Sequence, residues 1–501
     1  MNRKLIAIIS FCKHANAIFI VVLAFYFLLF PGFAAVSSLL DPNLKQPGTP
    51  RTAWALFRQL TPRYEQWARE RIASGKAVGL STSDIAGTEW PLFGSVFYLW
   101  AVEALQEEWD KDPSRMPIAP REYARGAIEA ATALVIDPNH ATWVKQHWGK
   151  EYLHRENVFY RMLLIAALTS ESKLLGATNH LPMLREQVES LAEELDKSPH
   201  GILNDYPFEC YPTDVLMAIA AIRQADTVLG TDHSAFAERE ARGFQGRLLD
   251  QRGLPPYEAD PDLGEAFEPS RGCGISYGCI SAPLIWPDRA KAWYALYETY
   301  FWQEKYGIAG FREFPKDLAG YDWYIDVDAG PVIGGIGIAA SAFGVAAARM
   351  NGRFDHAYPL LAEMITASWP LPDGSLLLPR VLSNAAHAPY LGEACILFNL
   401  TRQPAAGANI QEGGTIPQIV YAALSLYLGL GIIYPVAAVR EIRRWRNQKT
   451  KWGFALAEVQ IGIWFIFVLA AVLLTGLYGI TIGLLPLVFA HLFPRGRIRR
   501  S

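Results

Sequence analysis

Residues 204–222 read NDYPFECYPTDVLMAIAAI. A loop crowded with acids, aromatic rings and one cysteine runs straight into a segment with helical character and no polar face. A helix that is apolar on every side has to be buried on every side. The stretch therefore predicts a central helix, with its titratable residues gathered at the N-terminal mouth.

Working outward, the same pattern recurs. WPLFGSVFYLWAVEAL (90–105), ENVFYRMLLIAAL (156–168), GISYGCISAPLIW (274–286), GPVIGGIGIAASAFGVAAAR (330–349) and LGEACILFNL (391–400) are apolar nearly all round. Between them lie segments with one charged face, such as PRYEQWARERIAS (62–74), MLREQVESLAEELDK (183–197) and DHAYPLLAEMITASW (355–369). Those read as surface helices with an apolar stripe. Runs of alternating β-branched residues are nearly absent, which argues against sheet. Strict alternation of buried and exposed helices predicts an all-α fold, an (α/α)6 barrel or helical toroid over residues 60–402.

In such a ring the loops entering the inner helices share one rim. They are SDIAGTEWP (83–91), HRENVFY (154–160), NDYPFECYPTD (204–214), EPSRGCGISYG (268–278), YIDVDAGP (324–331) and NAAHAPYLGE (384–393). Loops on a rigid scaffold carry function, and six helix N-termini favour carboxylates and developing anions.

Both ends of the chain are apolar. ANAIFIVVLAFYFLLFPGFAAV (15–36) is long enough to span a bilayer. An uncleaved anchor and a cleaved signal peptide both fit it, and its length favours the anchor. Further spans are expected over about 416–439, 454–474 and 476–493, with 37–59 and 403–415 as linkers. The basic run REIRRWRNQKTK and the tail PRGRIRRS place the N-terminus and these loops on the cytoplasmic side. The helical domain is then expected outside the cytoplasm, on a multi-pass membrane protein. A net charge of −3 over 501 residues leaves no basic stripe for nucleic acid.

The rim offers candidate acid–base residues. Asp205 and Glu209 lie among Tyr206, Phe208 and Tyr211, whose rings would desolvate them and raise their pKa. Asp214, directly before an apolar helical run, fits an N-cap. Cys210, Cys273 and Cys279 read either as buried thiols or as reactive groups needing a tuning partner. In an oxidising compartment Cys273 and Cys279 are also close enough in sequence to bridge. Asp84, Tyr277 and Asp328 complete the catalytic candidates. Trp90, Asn157, Phe159, Tyr206, Tyr211, Cys279 and Glu393 are candidates for holding substrate. His140, His147 and His154 are spaced seven apart, about 10 Å per step on a helix, which is too far to share one ion. No metal ligand set and no cofactor motif is read.

Five stretches together resemble the linalool dehydratase/isomerase family over roughly residues 80–400. They are RENVFY (155–160), HGILNDYPFECYPTDVLMAI (200–219), DAGPVIGGIGIAASAFGVAAAR (328–349), YLGEACILFNL (390–400) and SDIAGTEWP (83–91). The resemblance implies an (α/α)6 barrel and a cofactor-independent, acid–base dehydration and isomerisation of a terpenoid alcohol. It also implies sites built at subunit interfaces, hence a possible homo-oligomer. The family's pair of active-site cysteines is not matched, and Leu163 stands where the family has a histidine. The expected ligands are a hydrophobic small molecule and membrane lipids. Helical toroids also host glycoside hydrolases and lyases, and Trp90, Trp148, Trp286 and Trp323 are the sugar-stacking candidates on that alternative. A binding module that has lost its chemistry is the third reading.

Overall fold

A computed structural model of the protein describes residues 3–383 and 387–447. The expected spans at 454–474 and 476–493 lie outside the described residues. The chain divides into two compact units, one made of residues 26–429 and the other of the two terminal segments.

Residues 26–429 are mostly helical. The six segments with no polar face form helices α4 (Trp90–Lys111), α6 (Val158–Leu175), α8 (Pro212–Leu229), α10 (Gly272–Ile285), α12 (Ile338–Met350) and α14 (Leu391–Thr401). Each packs on the next, and α14 returns to α4, so the cycle closes. Amphipathic helices cover them from outside: α3 (Arg51–Ser74), α5 (Arg125–Ile136), α7 (Leu181–Lys197), α9 (Ser234–Glu240), α11 (Pro287–Phe301) and α13 (Phe354–Ala367). Glycines in the left-handed conformation close α3, α6 and α8 at Gly75, Gly176 and Gly230, where a side chain would be strained. Buried Arg349 joins the two ends of this unit. It donates to the carbonyls of Asn43, Gly48 and Arg402 at 3.1, 2.7 and 2.8 Å.

Two of the prolines inside helices are accommodated by distant side chains that replace the missing N–H. Pro62 leaves the carbonyl of Arg58 without its helical donor, and the Tyr123 hydroxyl supplies one at 2.8 Å. Pro283 does the same to Cys279, whose carbonyl accepts from Asn351 Nδ2 at 2.9 Å. The outer helix α3 therefore begins at Arg51 and runs through Pro62. The stretch expected to be linker thus contributes Trp54, Leu56 and Phe57 to the core.

Sheet is present where none is expected. Short antiparallel hairpins decorate the edge: β1 (Ala259–Asp260) with β2 (Glu265–Ala266), and β3 (Trp302–Lys305) with β4 (Ile308–Phe311). A three-stranded ribbon, β5 (Trp323–Asp326), β6 (Gly330–Ile333) and β7 (Ile336–Gly337), follows. The start of GPVIGGIGIAASAFGVAAAR is thus strand, and helix begins only at Ile338. Gly334 and Gly335 have positive φ and turn the ribbon back between β6 and β7.

Two helical stretches, Phe11–Leu39 and Gln418–Arg440, are long and apolar enough to cross a membrane. The second matches the span expected at 416–439. Within residues 26–429, helix α2 (Phe30–Leu39) and the start of α15 (Gln418–Asn447) pack along α13 through Leu39, Ala362 and Val420.

Candidate functional site

The inner helices all begin at the same end. Gly94 of α4 abuts Leu391 of α14, and Gly274 of α10 faces Thr213 of α8. Asp205 ties two of these beginnings together. Its carboxylate accepts from the backbone N–H of Phe159, at the head of α6, at 2.8 Å and from that of Tyr211, at the head of α8, at 2.9 Å. The head of α10 is pressed against the residue that follows β4, Arg312. A side-chain carbon on Gly272 would meet the carbonyl oxygen of Arg312 at 1.9 Å, so only glycine fits.

This geometry exchanges the roles expected for two acids. Asp205 holds helix N-termini and is 1% exposed. Asp214 is inside the first turn of α8 and makes no cap. Its carboxyl is partly open and has no hydrogen-bond partner among the described residues. Burial, with Asp328 nearby, pushes it up to about 7.

Glu89, the residue before α4, is the other central acid. The Tyr206 hydroxyl donates to it. Burial pushes its carboxyl up to about 8, against that hydrogen bond, and Asp328, Asp214 and Glu209 add to the rise. Asp328 stands exposed at the mouth and accepts from the Tyr257 hydroxyl at 2.5 Å. Desolvation by the surrounding protein raises it as well. Glu209 is exposed and accepts from Tyr211 at 3.0 Å. Two acids poised near neutral pH, within range of each other's charge, suit a general acid and a general base.

A second network borders the first. Arg271 donates to Glu313 at 2.8 Å and to Asp326 at 2.6 Å, with its cation 4.2 Å from the Tyr257 ring centroid. Glu313 is fully buried, also accepts from the Cys273 thiol at 3.1 Å, and is pushed up to about 7 by burial. Burial and Glu313 raise the Cys273 thiol well above its ordinary value.

Below the acids lies a floor of rings. Phe93 packs on Phe97, Phe159 and Tyr277 with centroids 4.2, 5.6 and 5.6 Å apart. Phe343 lies 5.5 Å from Tyr277. The Tyr277 hydroxyl is buried and has no hydrogen-bond partner among the described residues. Burial raises the phenol, with Asp214 and Cys395 as its ionisable neighbours. A polar atom left alone in an apolar floor is costly unless something else engages it.

The structure brings Glu209, Cys273, Tyr277, Asp328, Phe159, Tyr206 and Tyr211 to this end, and Trp90 lies half-buried at the head of α4. Other candidates serve the scaffold. Asp84 accepts from the backbone of Gly87 at 3.0 Å and caps a single turn. Cys210 and Cys279 are core thiols. Cys273 and Cys279 are both free thiols on one helix, where six residues turn the chain through about 240° beyond a full turn and point them apart. Asn157, in the left-handed conformation, donates to the carbonyl of Tyr152 at 2.9 Å. Glu393 is fully buried beside Arg63 and Arg380 and accepts from the backbone of Leu376 at 2.9 Å. Trp148 and Trp286 are buried, their N–H groups on the carbonyls of Asp205 and Ala237, so neither offers a face to sugar.

Glu89, Asp214 as a free acid, Tyr257, Arg271, Glu313 and Cys395 lie outside the sequence-based set. Glu89 was visible as the acid directly before Trp90-Pro91. Glu313 carries no sequence signal, because its place depends on the hairpin that precedes it.

No protein-family model matches the chain, and no curated protein matches it.

Proposed function

We propose that residues 26–429 form an (α/α)6 toroid whose rim cleft is a cofactor-independent acid–base site for a hydrophobic, terpenoid or prenyl-like alcohol. The closed cycle of six parallel inner helices, each with an outer partner, supports the toroid. The observation that carries the chemistry is the pair of Glu89 and Asp214, held near 8 and 7, above a floor of aromatic rings.

At neutral pH Glu89 holds its proton and Asp214 is in part ionised. Glu89 protonates the substrate hydroxyl, which leaves as water. Asp214 removes a proton from the adjacent carbon, and that C–H electron pair becomes the new double bond. Rehydration at the other end of the allylic system gives the isomer. Rings at the floor face positive character on the substrate carbon, and the Tyr277 hydroxyl is placed to hold the departing water.

The reading places the toroid outside the cytoplasm, anchored by the apolar stretches, because the basic segments flank those stretches on their far side. The test uses the full chain in detergent with a tertiary allylic terpene alcohol, products being followed by gas chromatography. Turnover is expected, with a loss of 100-fold or more (~10²–10⁴) in Glu89→Gln. Wild-type protein that leaves such alcohols unchanged overturns the reading.

A further inference from the structure

Within residues 26–429 the chain enters and leaves at the level of the rim. The Trp369 indole, just past the rim end of α13, donates to the carbonyl of Phe27 at 2.7 Å. The Tyr427 hydroxyl donates to the carbonyl of Thr366 at 3.0 Å, its ring 5.1 Å from Trp369. The unit's own ends, Tyr26 and Gly429, therefore sit at the rim end of α13, where both apolar stretches cross its boundary.

The rim is also where large apolar side chains face water. Phe208, Trp323, Phe267 and Ile325 are 93, 76, 73 and 73% exposed, with Leu263 and Ile333 near them in sequence. At the opposite end of the same helices, Leu40, Ile118, Leu284 and Ile410 are exposed large apolar residues. Phe208 is the sharper signal. It takes positive φ at the tip of the turn before α8, a conformation that favours glycine or asparagine, and still presents its ring outward. Aromatic rings at one level beside membrane-spanning stretches are the pattern of an interfacial belt.

We infer that the cleft mouth rests on a phospholipid bilayer, with Phe208, Phe267 and Trp323 immersed at the interface, so that an apolar substrate enters the site from lipid. This rests on the membrane-span part of the proposed function, not on the acid–base chemistry. The test reconstitutes the full chain in phosphatidylcholine vesicles, with an environment-sensitive dye on Phe267→Cys or, at the opposite end, on Leu284→Cys. The unsubstituted chain gives the background from its own thiols. Vesicle flotation is expected, with quenching of the dye at position 267 by lipids carrying a shallow nitroxide and protection of that dye from aqueous iodide. The dye at 284 shows the reverse. Equal iodide quenching at both positions in floated vesicles overturns the inference. So does protection at 267 that depends on protein concentration and not on lipid, which would assign the surface to a second copy. Failure to float removes the membrane reading itself, while turnover in detergent remains a separate test of the chemistry.

Discussion

Replacing Glu89 with glutamine is expected to stabilise the protein at pH 8 and leave it unchanged at pH 4. The neutral carboxyl is close in shape to the amide, and glutamine keeps an oxygen for the Tyr206 hydroxyl. In the folded chain Glu89 is pushed up to about 8 from an ordinary 4.5. Below pH 4.5 both folded and unfolded chains hold the proton. As pH rises from 4.5 to 8, the unfolded chain releases it and the folded chain does not. Stability therefore falls across that window and is flat above it. Full linkage over that gap corresponds to about 5 kcal/mol. The carboxyl keeps partial access to solvent, which reduces the expected gain to about 2–3 kcal/mol. For a unit of roughly 400 residues the unfolding entropy is near 0.8 kcal/mol/K, so Tm rises by about 3 °C at pH 8. Thermal unfolding of wild type and Glu89→Gln at the two pH values measures it. The same change in Tm at both, or a loss at pH 8, refutes the placement of Glu89 in a desolvated site.

Tyr277→Phe removes a buried hydroxyl that has no partner among the described residues; Tm is expected to hold or rise by the equivalent of up to about 1 kcal/mol, while turnover of an alcohol substrate falls. A loss of more than that in Tm would mean the hydroxyl is bonded within the folded chain. Pro62 and Pro283 give a contrast. Asn351→Ala leaves the part-buried carbonyl of Cys279 unsatisfied and costs about 1–3 kcal/mol, whereas Tyr123→Phe frees an exposed carbonyl that water can serve and costs about 0.5 kcal/mol. Denaturant titration of both variants reads the order, and equal losses would contradict it.

The inner helices were legible because burial on all sides writes itself into composition: α6 and α8 have no polar face to misread. Their mouths were legible as places but not as roles. Asp205 and Asp214 are equally acidic in sequence. Which of them meets backbone N–H groups depends on how the heads of α6 and α8 approach each other in space. The start of α3 was misplaced because Pro62 looks like a helix beginning, and its compensating donor, Tyr123, is distant in sequence. The ribbon of β5, β6 and β7 is built from strands of two to four residues, too short for an alternating pattern to declare itself. With the ribbon unread, the Arg271–Glu313–Asp326 network had no visible partners.

The acids of the rim also constrain one another. Glu89, Asp214 and Asp328 cannot all ionise cheaply beside a floor of rings, since burial disfavours each charge and neighbouring carboxylates add to the rise. Arg271, already paired with Glu313 and Asp326, lowers Asp328 only in part, since burial still leaves that carboxyl raised. The site therefore keeps protons at neutral pH chiefly because burial disfavours the charged forms, with mutual repulsion adding to it, which is what the donor of a proton to a leaving hydroxyl requires. A polar substrate such as a sugar would bring water and screen that repulsion. An apolar alcohol arriving from lipid would exclude water and sharpen it. The location of the mouth and the protonation of its acids are thus linked. Moving the rim off the bilayer by removing Phe208, Phe267 and Trp323 is expected to weaken capture of dilute apolar substrate in vesicles, read as a higher KM, while kcat in detergent stays the same. A fall in kcat with KM unchanged would show instead that those rings support the acids directly.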